Sequence, residues 1–386
     1  MKNVCVVTGS RAEYGIMRTL LLKLNTEKSI NLDVIVTAMH LEEKYGYTYR
    51  QIEEDGLNIV KKIPLELVNT SKKCVSRSLA ILTEKLSDLF EENNYDLIII
   101  LGDRYEMLPV ANIGLIYNIP ICHIHGGEKT LGNFDESIRH AITKMSHLHL
   151  VASEEFKNRV LQLGEEEKTV HNIGAMGVEN VLKQDFLSKK ELEKTLGIEL
   201  EEEYYVVLFH PVTLEEGEAL SQINTLLKIL NIQQKQSIFI GSNSDVDSDK
   251  IMDAIEDYIK QNPKSKLFRS LKPREYHSLV KYSSGLVGNS SSGLIEAPSL
   301  KTPTLNIGNR QLGRLRGPSV VDVNIDEESL KEGFKELKKI TNFFNPYEQE
   351  DSIENAKRYI LEYLEKNKGT VKDKNHEYLK CTIKTF

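Results

Sequence analysis

Leu97-Ile-Ile-Ile-Leu-Gly-Asp-Arg-Tyr-Glu106 is the stretch whose reading decides the fold. The run from Leu97 to Ile100 is apolar without alternation, as expected of a strand buried on both faces, and such strands belong to parallel sheets covered by helices. Asp103 then falls at the strand's carboxyl end, where open α/β sheets take their ligands. The plain alternative for Asp103 is an ion pair with Arg104 that only fixes a loop.

On either side, short β-branched runs near residues 3–8, 32–38, 119–123 and 148–152 read as further strands, with helix-like segments between them. Residues 76–92 carry Leu79, Leu82, Leu86, Leu89 and Phe90 at helical spacing, one stripe to bury against a sheet. After a charged, helix-rich stretch at 188–203 the cycle restarts. Strands are expected near 205–210, 237–241, 285–288, 304–307 and 320–323, and helices near 221–230 and 246–259. The expected fold class is therefore α/β, with two Rossmann-like doubly wound domains at 1–178 and 179–351. A final amphipathic helix, 352–367, has Ile353, Ala356, Tyr359, Ile360 and Tyr363 on one stripe and is expected to cross back to the first domain. Residues 368–386 read as a polar tail without an assigned function.

The length of 386 residues suits two domains, each with a substantial core. A net charge of -7 gives no electrostatic reason to expect nucleic acid or anionic lipid as a partner, so a polyanionic ligand would need local basic groups. Cys5, Cys74, Cys122 and Cys381 show no CxxC spacing, which suggests neither a zinc site nor a disulfide framework and fits a reducing cytoplasm. Val4 to Val7 is too short for a signal-peptide core, and no apolar run reaches about 18 residues, so no membrane partner is expected.

Four further motifs could carry chemistry. Thr8-Gly-Ser-Arg-Ala-Glu-Tyr-Gly15 lies where the first strand meets a helix, so Arg11 could clamp a phosphate, or it is simply a surface residue beside a turn. His123-Ile-His-Gly-Gly-Glu128, followed by Asp135-Glu-Ser-Ile-Arg-His140, gathers His125, Glu128 and Asp135 near one strand end. Its alternate histidines also resemble metal ligands, but the remaining ligands have no recognisable spacing. His140 and His147 read as ordinary structural or surface histidines. Phe209-His-Pro-Val-Thr213 ends a strand of the second half. Gly288-Asn-Ser-Ser-Ser-Gly-Leu-Ile-Glu296 reads as a glycine turn opening a helix, a phosphate cradle or plain N-capping, with Glu296 further along the helix able to accept ribose hydroxyls. Gly308-Asn-Arg310 offers a second cation near the next strand end.

Gly9-Ser-Arg-Ala-Glu13, Leu101-Gly-Asp-Arg104, His123-Ile-His-Gly-Gly-Glu128, Asp135-Glu-Ser-Ile-Arg-His140, His210-Pro-Val-Thr213 and Gly288-Asn-Ser-Ser291 together resemble the hydrolysing UDP-N-acetylglucosamine 2-epimerases, in order and over about residues 3 to 325. The resemblance implies a GT-B fold with the active site in the cleft between its two domains, and homodimers or homotetramers. It implies production of N-acetylmannosamine and UDP for sialic acid synthesis, with no metal or nicotinamide cofactor. Related members act on UDP- or GDP-N,N'-diacetylbacillosamine for legionaminic acid. Carried over by position, Arg11, Ser290, Ser291 and Arg310 would hold the diphosphate, with Ala12 and Arg104 beside them in the substrate-binding set. Glu296 would hold the ribose, Gly174 and Asn243 would line the cleft, and Asp103, Asp135 and His210 would lie at the reacting sugar.

One departure matters: the sialic acid type has glutamate where this chain has His125. The implied reaction is elimination of UDP across C1–C2 to a glycal, then addition of water at C1 with reprotonation of C2 on the opposite face. Such a step needs a positioned base and a stabilised leaving group. The role of the sialic acid type's glutamate falls here to His125 itself or to Glu128, and the expected proton handlers are Asp103, Glu128 or His125, with Asp135 a partner in the second step and His210 a contact to the leaving group or sugar. The competing readings are a glycosyltransferase of the same fold and an inert sugar-nucleotide sensor. The sensor would not need to keep Asp103 and Asp135.

Overall fold

The computed structural model describes residues 1–65, 72–129, 135–211, 218–241 and 248–366. The chain divides into two compact units, Met1–Asn180 together with the segment from Gln349 onward, and Val181–Glu348. The polar tail lies outside the described residues.

The first unit is built on a seven-stranded sheet of β1 (Lys2–Thr8), β2 (Ile30–Thr37), β3 (Asn58–Ile63), β4 (Leu97–Leu101), β5 (Ile121–Ile124), β6 (Leu148–Val151) and β7 (Val170–Asn172). Its spatial order is β3-β2-β1-β4-β5-β6-β7, and every pairing is parallel. β4 explains its own unbroken apolar run. Leu97, Ile99 and Leu101 enter one core with Val4, Val6, Met17 and Leu21, while Ile98 and Ile100 enter the other with Cys5, Val7, Leu82 and Leu86. Both faces are covered, so alternation would place a polar residue in a core.

The helix Ser352–Lys366 lays Ile353, Ala356, Ile360 and Leu364 into the first of these cores, beside the helix Arg11–Asn25. Each fully buried large apolar side chain stabilises that docking by roughly 2 kcal/mol.

The second unit repeats the plan with six parallel strands, β8 (Tyr204–Leu208), β9 (Gln236–Ile240), β10 (Lys266–Phe268), β11 (Gly285–Gly288), β12 (Thr304–Ile307) and β13 (Val320–Val323), in the order β10-β9-β8-β11-β12-β13. In each sheet the winding direction reverses once, between β1 and β4 and between β8 and β11. These reversals open a crevice at the strands' carboxyl ends, where ligands bind in this architecture. Thr8 to Asp103 contributes the first such point, and Leu208 to Asn289 the second.

Two sequence expectations are corrected. Strands β3, β7 and β10 were not anticipated, and the phosphate-cradle helix is much shorter than expected. It covers only Ser292–Ile295, with Glu296 as its C-cap rather than a residue further along. Gly293 inside the turn and Pro298 just beyond it both work against a longer helix.

Candidate active site

After β5 the chain turns sharply. The His125 N–H donates to the Leu150 carbonyl at 2.9 Å, and the residue itself sits at φ 63°, a left-handed conformation that bulky side chains rarely adopt. Gly127 follows at φ 75°; a Cβ there would lie 2.5 Å from the Phe156 carbonyl oxygen, so only glycine lets the chain pass. Arg159 donates to the Gly127 carbonyl and holds the turn down. The turn folds Glu128 back onto His125, with Nδ1 2.6 Å from Oε1. In the neutral ring the carboxylate holds the hydrogen on Nδ1 and leaves the lone pair on Nε2, which is buried and has no hydrogen-bond partner among the described residues.

Asp103 stands at the end of β4, next to β5 in the sheet. Its carboxylate accepts a hydrogen bond from Arg139, a guanidinium only 4% exposed on the helix Asp135–Met145. Asp135 opens that helix one turn ahead. Glu136 lies 3.7 Å from Arg139, and His140 reaches Glu136 at 3.2 Å. Asp103 is thus paired with Arg139 rather than with its neighbour Arg104. His123 supports the same loop: its Nε2 donates to the Gly102 carbonyl at 2.8 Å, and burial pushes its pKa down to about 3, which keeps the ring neutral.

Arg104 turns the other way, donating through Nε to Glu106 at 2.5 Å. Glu106 is fully buried beside Glu13, whose carboxylate accepts the Gly9 N–H at 2.8 Å and the Ser10 hydroxyl at 3.2 Å. Burial, and next the Glu106 charge, push Glu13 up to about 7, against the pull of Arg104. Burial opposes the charge on Arg104, but Glu106 and Glu13 outweigh it and hold the guanidinium ionised. The helix N-terminus at Arg11 is thereby capped from within by Ser10 and Glu13. Arg11 and Ala12 are exposed at its first turn. Gly174, at φ 73°, is packed against Gln349 and Ser352, where the chain returns to this unit.

In the second unit, His210 follows β8 and is buried. Burial, and next the Arg310 charge, lower its pKa to about 4, so the imidazole is neutral at pH 7 and can offer one hydrogen bond but no cation. Arg310 donates to the Asn289 carbonyl at 3.1 Å. The Ser290 hydroxyl accepts from the Ser292 N–H at 3.4 Å, and Ser291 is the N-cap of the short helix. Glu296 accepts from the Ser292 hydroxyl at 2.6 Å and lies 3.4 Å from His277, while Tyr276 donates to Ser292 at 2.9 Å. Asn243 and Thr213 lie outside the described residues, as does most of the stretch between Glu128 and Asp135.

The structure thus brings His125 to Glu128, and Asp103 to Arg139, within the first unit, and Arg310 to the Ser290 segment within the second. The partners Arg139, Glu13, Glu106, Asn289 and His277 were not singled out in the sequence. Arg139, Glu13, Glu106 and Asn289 all stand inside motifs already quoted, so motif membership was the available signal.

Residues 22–363 match the family model described as UDP-N-acetylglucosamine 2-epimerase. A polysialic acid biosynthesis protein of Escherichia coli is 44% identical over 97% of this chain and 97% of its own. The GDP/UDP-N,N'-diacetylbacillosamine 2-epimerase (hydrolyzing) of Campylobacter jejuni is 43% identical over 87% of each chain. Among solved structures, the UDP-GlcNAc 2-epimerase of Neisseria meningitidis bound to UDP-GlcNAc aligns with a TM-score of 0.78 at 20% identity, covering 95% of this chain and 100% of that one. The family match across both units, two relatives of this identity and the doubly wound fold agree: the chain belongs to the UDP-N-acetylglucosamine 2-epimerase family.

Proposed function

We propose that the protein is a hydrolysing 2-epimerase that converts UDP-N-acetylglucosamine and water to N-acetylmannosamine and UDP, for synthesis of a sialic-type acid. The observation that carries this reading is the His125–Glu128 pair, with a buried Nε2 that has no partner among the described residues, in a chain of this family. The Nε2 lone pair takes the C2 proton, and Glu128 stabilises the imidazolium that forms, as a carboxylate does behind any histidine base. The C1–O bond to the diphosphate breaks as C1=C2 forms. Water then adds its oxygen to C1, and C2 receives a proton on the opposite face, with Asp103 and Asp135 serving this second step. Ser290, Ser291 and Arg310 take the diphosphate and Glu296 the ribose, while neutral His210 donates a hydrogen bond to the departing group or the sugar.

A second reading, the same reaction on UDP- or GDP-N,N'-diacetylbacillosamine, is favoured by His125 standing where the sialic acid type has glutamate, and by the likeness to the Campylobacter enzyme. Incubating the purified protein separately with the three nucleotide sugars, without any acceptor, distinguishes the two. The expected result is UDP and free N-acetylmannosamine from UDP-N-acetylglucosamine, with the two diacetylbacillosamine nucleotides turned over more slowly. Release of UDP with C2 unchanged, or only when an acceptor sugar is added, would refute the epimerase and favour a glycosyltransferase.

A further inference from the structure

We propose that Asn289 is a positioning residue that fixes His210, locking the loop after β8 to the loop after β11 and to Arg310. Its carboxamide pairs with both backbone groups of one residue: the His210 N–H donates to Oδ1 at 2.7 Å, and Nδ2 donates to the His210 carbonyl at 2.8 Å. Only a side chain with a donor and an acceptor at this reach can do so; aspartate has no donor, and leucine has neither. The Asn289 backbone extends the link, since its N–H reaches the Leu208 carbonyl at 3.2 Å, and its own carbonyl accepts from Arg310 at 3.1 Å and from Gln311 at 2.8 Å. Asn289 is 1% exposed, so water does not compete for these bonds.

The local sequence makes this reach possible. Gly288 sits at φ 144°, and a Cβ on it would lie 2.0 Å from the Leu208 carbonyl oxygen. Glycine there lets the end of β11 close onto the end of β8 and delivers the next side chain to His210. The result is a switch point at which the His210 backbone and a guanidinium are both held by one residue that itself faces away from solvent.

The kinetic arm of the test rests on the 2-epimerase reading, while the spectroscopic arm does not. In the full chain, Asn289→Ala is expected to lower kcat by about 100-fold, the cost of misplacing a reacting group by about an ångström, with KM changed by less than about threefold. In a His210→Gln background the same change is expected to cost less than about threefold, because its effect passes through His210. Equal losses in both backgrounds, or no loss in either, would overturn the proposal.

Independently of turnover, the imidazole resonance of His210, assigned by its disappearance in His210→Gln, is expected to titrate near pH 4. In Asn289→Ala its midpoint should move toward the ordinary value of about 6.5 as the loop opens to water beside Arg310. An unmoved midpoint would overturn the proposal even if no nucleotide sugar proves to be a substrate. Asn289→Leu, which keeps the volume and adds no charge but loses both donor and acceptor, carries the same expectations should the alanine variant not fold.

Discussion

His125→Ala is expected to reduce kcat by about 10³-fold, with affinity for UDP unchanged within experimental scatter. The magnitude is what a positioned base contributes to abstraction of a weakly acidic C–H proton, and the nucleotide contacts proposed in the second unit do not involve this residue. Glu128→Gln should cost less, about 10- to 100-fold, because an amide can still hold the Nδ1–H but cannot stabilise the imidazolium. His125→Glu, which restores the acid of the sialic acid type, should recover part of the lost rate. Backbone strain does not confound this series. Alanine, glutamate and histidine all bear a left-handed cost of order 1 kcal/mol at φ 63°. Steady-state kinetics with UDP titration would check it, and an alanine variant with the parent's kcat would remove His125 from the chemistry.

Asp103→Asn is expected to abolish measurable turnover, a loss of about 10³-fold or more, while UDP still binds. In the proposed mechanism the carboxylate handles a proton, and its loss also removes the closer of the two carboxylates beside Arg139, a buried cation that keeps Glu136 at 3.7 Å. Breaking such a pair costs up to about 3 kcal/mol of stability, reduced here because Asp103 is 22% exposed. The two effects separate experimentally. Turnover is measured well below the variant's melting temperature, and a far-UV circular dichroism melt reports that the fold is intact under those conditions. Unchanged turnover would reduce Asp103 to a loop anchor, the plain alternative raised by its charged neighbour.

Much of this architecture was legible in the sequence because parallel strands covered on both faces have nowhere to put a polar residue. β4, with Ile98 and Ile100 on one face and Leu97 and Ile99 on the other, announces itself. The three strands that were missed, β3, β7 and β10, are all sheet edges. β3 carries Lys61 and Lys62 on its exposed stretch, and the other two are three residues long, so neither hydrophobicity nor length marks them.

The site divides along the same lines. Motifs at strand ends could be read, because topology puts every strand's carboxyl end on one side of the sheet. Pairings between distant positions could not. Asp103 with Arg139 and His210 with Asn289 are separated by 36 and 79 residues, and no local spacing encodes either. The Glu13–Glu106 pair is invisible for another reason: nothing in a sequence says that two glutamates share one buried place.

The claim on which the rest depends is that C2 exchanges its hydrogen with solvent on the way to a free sugar. Running the reaction with UDP-N-acetylglucosamine in deuterated water, and recording the proton spectrum of the sugar released, tests it most directly. The expected product is N-acetylmannosamine with no signal at H2 and an H1 resonance collapsed from a doublet to a singlet. Product that retains its H2 proton, whichever its configuration, would contradict elimination to a glycal and the role of His125 with it.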